Sequence, residues 1–291
     1  YLASKSSTLS YAVGEWARVW PLSALIRLWG AYFIRRTSRG ALYRKVLSRY
    51  VQMATNGGDT QAFYPEGGLS LTGAVQKPKV GLLSYLVDGF DPDGARDIVF
   101  IPVAINYDRI LEDRVLMAAH ARGDRRFGAR VSVVVAFVLR KLWQRLRGRD
   151  TRFGTAAVAF GDPVSLRSFG KVENVDGLSM ELMGRIEAVM PVLGVPLVAT
   201  AMRQNPAMNA AQLQAAVVDI LAKIPERSIA VDTGDLSTEL QRACADMEQH
   251  GLLVQHNGIW TISEGQETAA GFYANSIAHY LLSEGDAATA K

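Results

Sequence analysis

The sequence is poor in the residues that build covalent or metal frameworks. Its single cysteine, Cys244, excludes an internal disulfide and fits a reducing compartment. Its four histidines, His120, His250, His256 and His279, are scattered and have no neighbouring cysteine or carboxylate at a ligand spacing. No metal site and no cofactor is expected from them. Long apolar runs are missing too: the longest, over residues 131–139, is far shorter than the roughly 18 residues that span a bilayer. No signal peptide is expected from these residues, and they hold no internal repeat and no low-complexity tract. The first residue is Tyr1 rather than Met, in ordinary-looking sequence, so the chain is expected to be a fragment lacking its own N-terminus.

What is present is globular. With 291 residues, 49% of them apolar and 21% charged, the chain can bury a large core and does not have the composition of a disordered protein. Its net charge of +4 is unevenly placed. Residues 122–152 hold ten arginines and lysines against Asp124 and Asp150, so the rest of the chain is net acidic. That basic segment suits a phosphate-bearing surface: lipid headgroup, substrate or nucleic acid. Its apolar start, basic end and Trp143 fit a helix lying on an anionic membrane, and equally a core helix with a solvated basic end.

Short β-type runs alternate with helical ones over the first 165 residues. Strands are expected at 9–13, 32–35, 61–64, 98–105 and 156–160, and helices at 21–29, 42–54, 80–87 and 133–147. Near-continuous apolar strands separated by helices indicate an α/β layered domain with a mostly parallel sheet flanked by helices. This is assigned to residues 1–170. A mainly helical region, 171–291, follows, with one β-hairpin: strands 253–256 and 259–262 flank Asn257-Gly258, a type I′ turn signal. Helices are expected at 236–250 and 267–282. The helix and hairpin of 236–262 resemble a winged-helix outline, but Arg242 is the only cation between Leu236 and Ile262, so no nucleic-acid partner is expected.

The chemistry-bearing stretch is Phe63-Tyr64-Pro65-Glu66-Gly67-Gly68-Leu69-Ser70-Leu71-Thr72-Gly73. Pro65 stops a strand's hydrogen-bond ladder, and Gly67 and Gly68 let backbone N–H groups approach a ligand. Glu66 beside them can accept a substrate hydroxyl or hold Arg35 and Arg36 in place by ion pairing; a plain surface turn is the other reading. Arg35 and Arg36 follow a strand, where they are either a phosphate fork or two solvated charges. Pro102, inside the run 98–105, predicts a bulge or a lining position, with Tyr107 and Asp108 at the same end of the sheet.

Taken in order, GAYFIRR, YPEGGLSLTG, PK and IPVAINYD resemble the blocks of the glycerolipid acyltransferase superfamily. More narrowly they resemble the bacterial membrane-bound glycerol-3-phosphate 1-O-acyltransferases. Phe160-Gly161-Asp162-Pro163 and Asn275-Ser276-Ile277-Ala278-His279 extend the resemblance over nearly the whole chain. It implies transfer of a fatty acyl group from acyl-CoA or acyl carrier protein to the sn-1 hydroxyl of glycerol 3-phosphate, the first step of phospholipid biosynthesis. It further implies a peripheral enzyme on the cytoplasmic face of a bacterial inner membrane, meeting lipid through 122–152.

Carried over residue by residue, the resemblance gives Arg36, Glu66, Gly67, Ser70 and Pro102 to substrate binding, and the residue reading above adds Arg35 and Gly68. Its His-x-x-x-x-Asp base is expected upstream of Tyr1, so the chain is expected to be inactive as it stands. Leu69 and Leu71 occupy positions where the common pattern has arginines, with Arg35, Arg36 and Lys79 as the compensating cations. That departure keeps two alternatives open: another acceptor such as lysophosphatidate or dihydroxyacetone phosphate, or a catalytically dead lipid-binding homologue.

Overall fold

A computed structural model of the chain describes residues 9–14, 22–34, 40–68, 70–109, 154–170 and 175–282. Arg35, Arg36, Leu69, the expected helix 133–147 and the basic segment 122–152 lie outside the described residues.

The alternation of the N-terminal half folds as a small parallel sheet with helical crossovers. β1 (Ser10–Gly14) leads through α1 (Leu22–Leu28) to β2 (Ala31–Ile34), and α2 (Ala41–Gly57) leads to β3 (Gln61–Ala62). β1 is central, parallel to β2 from Tyr11↔Ala31 to Gly14↔Ile34 and to β3 at Ser10↔Gln61. α2 runs three residues beyond its expected end because Gly58, at φ 90°, supplies the left-handed stop that lets the last carbonyls find donors. Val51 of α2 packs with Leu83 and Leu86 of α3 (Gly81–Asp88), with Phe100 of β4 (Val99–Phe100), and with Leu178 and Leu182 of α5 (Val175–Glu187).

The expected strand 98–105 is two strands. β4 pairs antiparallel with β7 (Val164–Ser165), whereas β5 (Val103–Tyr107) pairs antiparallel with β6 (Ala156–Phe160). The break falls at Ile101-Pro102, where proline offers no ladder donor. Gly161-Asp162-Pro163 makes the matching break between β6 and β7, and Gly161 N–H donates to the Pro102 carbonyl at 2.8 Å. The two chains turn one corner together, so the bulge expected at Pro102 is a change of partner. A short helix, α4 (Leu166–Phe169), follows.

The C-terminal half is built round α6 (Gly194–Gln204), whose residues 194–202 are all buried. β8 (Ala207–Asn209), α7 (Ala210–Leu221), α8 (Leu236–Gln249), β9 (Leu253–His256), β10 (Ile259–Ile262) and α9 (Glu267–Asn275) follow. The β9–β10 hairpin has the strands the sequence predicts, with Asn257 at φ 50° and Gly258 at φ 77° in the turn. β8, which no sequence pattern marks, is three residues that pair antiparallel with β10 and give the sheet order β8-β10-β9. Asn209 ends that strand and caps α7 in a reciprocal box with Gln212. Helix, strand, two helices and a hairpin in this order complete the connectivity of a winged helix, although α8 carries Glu239, Asp246 and Glu248 against Arg242. Cys244 is packed inside this core, and burial pushes its thiol up to about 12, so it serves as a small apolar side chain. The expected helix 267–282 stops at Asn275 and resumes as a 3₁₀ turn over Ala278–Tyr280. Among the described residues no helix is long and apolar enough to cross a membrane.

Candidate functional site

The segment after β3 forms a closed loop over residues 64–79. Tyr64-Pro65-Glu66-Gly67 is a turn in which Gly67 N–H donates to the Tyr64 carbonyl at 2.9 Å. Gly67 sits at φ 63°, and a Cβ there would meet the Cδ of Lys79 at 2.9 Å. Glycine is needed for both reasons, and its absent side chain is the space through which the Lys79 stem crosses the turn. Lys79 N–H in turn donates to the Pro65 carbonyl at 2.7 Å, closing the base of the loop. The loop therefore carries a lysine ammonium over its backbone, beside the Glu66 carboxylate.

Glu66 is half-buried, and desolvation pushes its carboxyl above the usual range. The Gln76 N–H, 3.3 Å from Oε1, and the charge of Lys79 oppose the shift, and Glu187 at the end of α5 adds to it. A carboxylate held by one N–H and one cation, with a nearby anion repelling it, keeps lone pairs available to a hydroxyl-bearing ligand. Gly68 has no atom within 4 Å of where a Cβ would stand, so its backbone faces open space.

Two sequence-predicted residues make bonds within the loop itself. The Gly67 N–H closes the turn and does not face outward, leaving Gly68 as the glycine with open surroundings. The Ser70 hydroxyl donates to the Ala74 carbonyl at 2.7 Å and so braces the loop internally. Leu71 packs against the C-terminal core, which accounts physically for an apolar side chain at one of the two positions where arginine was expected.

Pro102 is buried at the corner described above rather than in the glycine loop. The end of α5 links the two places. Its Arg185 carbonyl lies against Gly161, which touches the Pro102 ring, and Glu187 faces Glu66 electrostatically. Asp108 was expected at the same end of the sheet as the site. Its Oδ1 instead accepts the Val195 N–H at 3.0 Å, placing a carboxylate at the N-terminus of α6.

The C-terminal segment Asn275–Tyr280 holds these parts together, a role not visible in the sequence. Asn275 Nδ2 donates to the Thr72 carbonyl at 2.8 Å. Asn106 Nδ2, on β5, donates to Ser276 Oγ and to the Pro191 carbonyl. Ile277 is fully buried. The Glu187 carbonyl at the end of α5 accepts the Tyr280 hydroxyl and a ring nitrogen of His279, each at 3.0 Å. Burial pushes the His279 imidazole down to about 4, which makes it a neutral structural donor and unfit as a base near neutral pH. Among the described residues no cluster of three or more His, Cys, Asp or Glu could hold a metal ion.

Residues 139–290 match the family described as "Glycerol-3-phosphate acyltransferase C-terminal region", and residues 3–106 match the family described as "Acyltransferase". A glycerol-3-phosphate acyltransferase of Pseudomonas fluorescens strain SBW25 is 36% identical over 162 residues, 55% of this chain and 18% of that protein. One from Pseudoalteromonas atlantica is 28% identical over 234 residues, 72% of this chain and 28% of that protein. One from Haemophilus influenzae strain PittEE is 26% identical over 299 residues, 93% of this chain and 36% of that protein. The chain thus spans well under half the length of these relatives.

Proposed function

Because the chain belongs to the glycerol-3-phosphate acyltransferase family, we propose that it forms the acceptor-binding part of an enzyme acylating glycerol 3-phosphate. The observation that carries this reading is the loop 64–79, where Lys79 crosses Gly67 beside a half-buried Glu66 and Gly68 faces open space. The ammonium suits the phosphate and the carboxylate a glycerol hydroxyl. The donor is an acyl thioester of coenzyme A or acyl carrier protein, and the acceptor position is sn-1. The hydroxyl oxygen bonds to the thioester carbonyl carbon, the carbon–sulfur bond breaks, and the hydroxyl proton passes through a base to the departing thiolate. The His-x-x-x-x-Asp pair that the family resemblance implies would supply that base. Arg36 remains assigned to the phosphate on the same resemblance, with Arg35 beside it as the other arm of an arginine fork.

Acyl transfer by the product of the full reading frame tests this. The expected result is acylated glycerol 3-phosphate at the sn-1 position, with Glu66→Gln and Lys79→Ala each weakening acceptor use about tenfold or more, as loss of a charged hydrogen bond does. Preference for lysophosphatidate would move the assignment to that acceptor, and no transfer to either would leave the lipid-binding homologue.

The same reading places the enzyme on the cytoplasmic face of a bacterial inner membrane, and an observation on α2 supports a lipid-facing surface. Leu42, Val46, Tyr50 and Met53 are 77%, 60%, 47% and 61% exposed. They recur at helical spacing, opposite buried Val51. Lys45 and Arg49 flank the stripe, and α2 has no acidic residue. An apolar stripe edged only by cations is complementary to an anionic bilayer, so this helix joins the basic segment 122–152 as the proposed contact. Lys45→Gln with Arg49→Gln is expected to weaken binding to vesicles containing phosphatidylglycerol by about 30-fold, at about 1 kcal/mol per cation. Binding to pure phosphatidylcholine should change little. Equal loss on both vesicles, or self-association through this face in sedimentation, would count against it.

A further inference from the structure

We propose that α9 positions the substrate loop, and that Asn275 sets the loop's shape through Thr72. This rests on reading residues 64–79 as the acceptor loop and names a residue outside it that governs its geometry. Asn275 is the last residue of α9, and its two amide ends are both engaged. Oδ1 accepts from Arg203 Nη1 of α6 at 3.2 Å, and Nδ2 donates to the Thr72 carbonyl at 2.8 Å. A guanidinium only donates, so Arg203 dictates which end of the amide faces it, and the NH₂ end is left pointing at the loop. The pair is thus a directional clamp between two helices and one backbone carbonyl.

The neighbours of Thr72 are held by the same surface. Leu71 packs on the C-terminal core, and the Gly73 backbone lies directly on the Phe272 carbonyl of α9. From Thr72 the link continues toward the functional end. Gln76 Nε2 donates to Thr72 Oγ1 at 3.2 Å, and the Gln76 N–H donates to Glu66 Oε1. A shift of Thr72 therefore reaches Glu66 through one glutamine. Asn275 is a positioning residue: its hydrogen bonds go to Arg203 and Thr72, and it acts on the acceptor through Thr72, Gln76 and Glu66.

Hydrogen exchange of the peptide spanning residues 66–76, glycerol 3-phosphate binding by calorimetry, and urea unfolding would be measured together. The wild type, Asn275→Ala, Asn275→Asp and Tyr280→Phe would be compared. Asn275→Ala should speed exchange in the loop and raise the Kd for glycerol 3-phosphate about tenfold, the scale of one lost hydrogen bond. Asn275→Asp keeps an oxygen for Arg203 but turns a carboxylate on the Thr72 carbonyl, so its effect should be at least as large. Tyr280→Phe removes a hydroxyl bonded to Glu187, Met190 and Ser228 in the same segment. It should lower stability while leaving loop exchange and Kd unchanged.

Wild-type exchange and affinity in both Asn275 variants would overturn the proposal. So would a Tyr280→Phe effect on loop exchange and Kd equal to theirs, since that would reflect general loosening. A wild type that does not bind glycerol 3-phosphate would overturn the acceptor-loop reading instead, and the exchange data would still decide the clamp.

Discussion

Gly73→Ala is expected to release the 64–79 loop from α9, weaken acceptor binding about tenfold or more and lower stability by about 3 kcal/mol. Gly73 sits at φ 82°, and a Cβ built there falls on the Phe272 carbonyl of α9. The left-handed conformation alone costs a non-glycine residue about 1–3 kcal/mol, and a backbone carbonyl cannot rotate away as a flexible side chain could. The loop has an escape, which sets the size of the effect: it can lift from the helix. Lifting forfeits the Asn275–Thr72 hydrogen bond, worth about 1 kcal/mol, and the packing of Leu71, worth another 1–2 kcal/mol. The stability loss is therefore capped near their sum, while acceptor binding falls about tenfold or more, as on loss of the Glu66 charge, because Glu66 is no longer held through Gln76. Gly68→Ala is the internal comparison. It has open space and no positive φ, so its stability should stay within about 0.5 kcal/mol of wild type even if ligand binding falls. Urea unfolding together with glycerol 3-phosphate titration reads both, and equal stability losses at the two glycines would refute the argument.

The contrast between these glycines explains what the sequence could and could not disclose. Local chemistry was legible: Pro65 with Gly67 gave the turn, Asn257-Gly258 gave the hairpin, and alternation gave the parallel strands β1, β2 and β3. The loop's duties were not legible, because they depend on partners some 200 residues away. Thr72 is held by Asn275, Gly73 is pressed on Phe272, and Leu71 is seated in the C-terminal core. A sequence window around residue 70 contains none of these. It shows a leucine where a cation was expected and cannot show the apolar seat that receives it. Likewise β8 escaped because three residues carry too little periodicity; its strand character comes from pairing with β10. The break at Pro102 was half visible. Proline announced an interruption, whereas the exchange of partners between β7 and β6 required knowing that Gly161 bends at the same corner.

Stability should fall as pH drops from 7.5, and His279 is the side chain responsible. In the unfolded chain its imidazole titrates near 6.5, and in the fold burial holds it at about 4. Between those values the unfolded state binds a proton that the folded state refuses, so acid favours unfolding. The contribution is intact above pH 6.5, declines below it and is lost by about pH 4, a total of about 3 kcal/mol. Roughly 1 kcal/mol of this falls between pH 7.5 and 5.5. Glu66 and Asp108 act in the opposite sense, because burial raises both carboxyls and the folded state then takes up their protons more readily. The His279→Gln comparison leaves both carboxyls in place and so isolates the histidine. His279→Gln keeps an N–H donor for the Glu187 carbonyl but cannot titrate. Urea unfolding of the variant should show little change between pH 7.5 and 5.5, against a clear loss in the wild type. An unchanged slope in the variant would assign the acid sensitivity elsewhere. Agreement would tie the acid limit of the fold to the contact that joins the Asn275–Tyr280 segment to the end of α5, where Glu187 faces the Glu66 carboxylate.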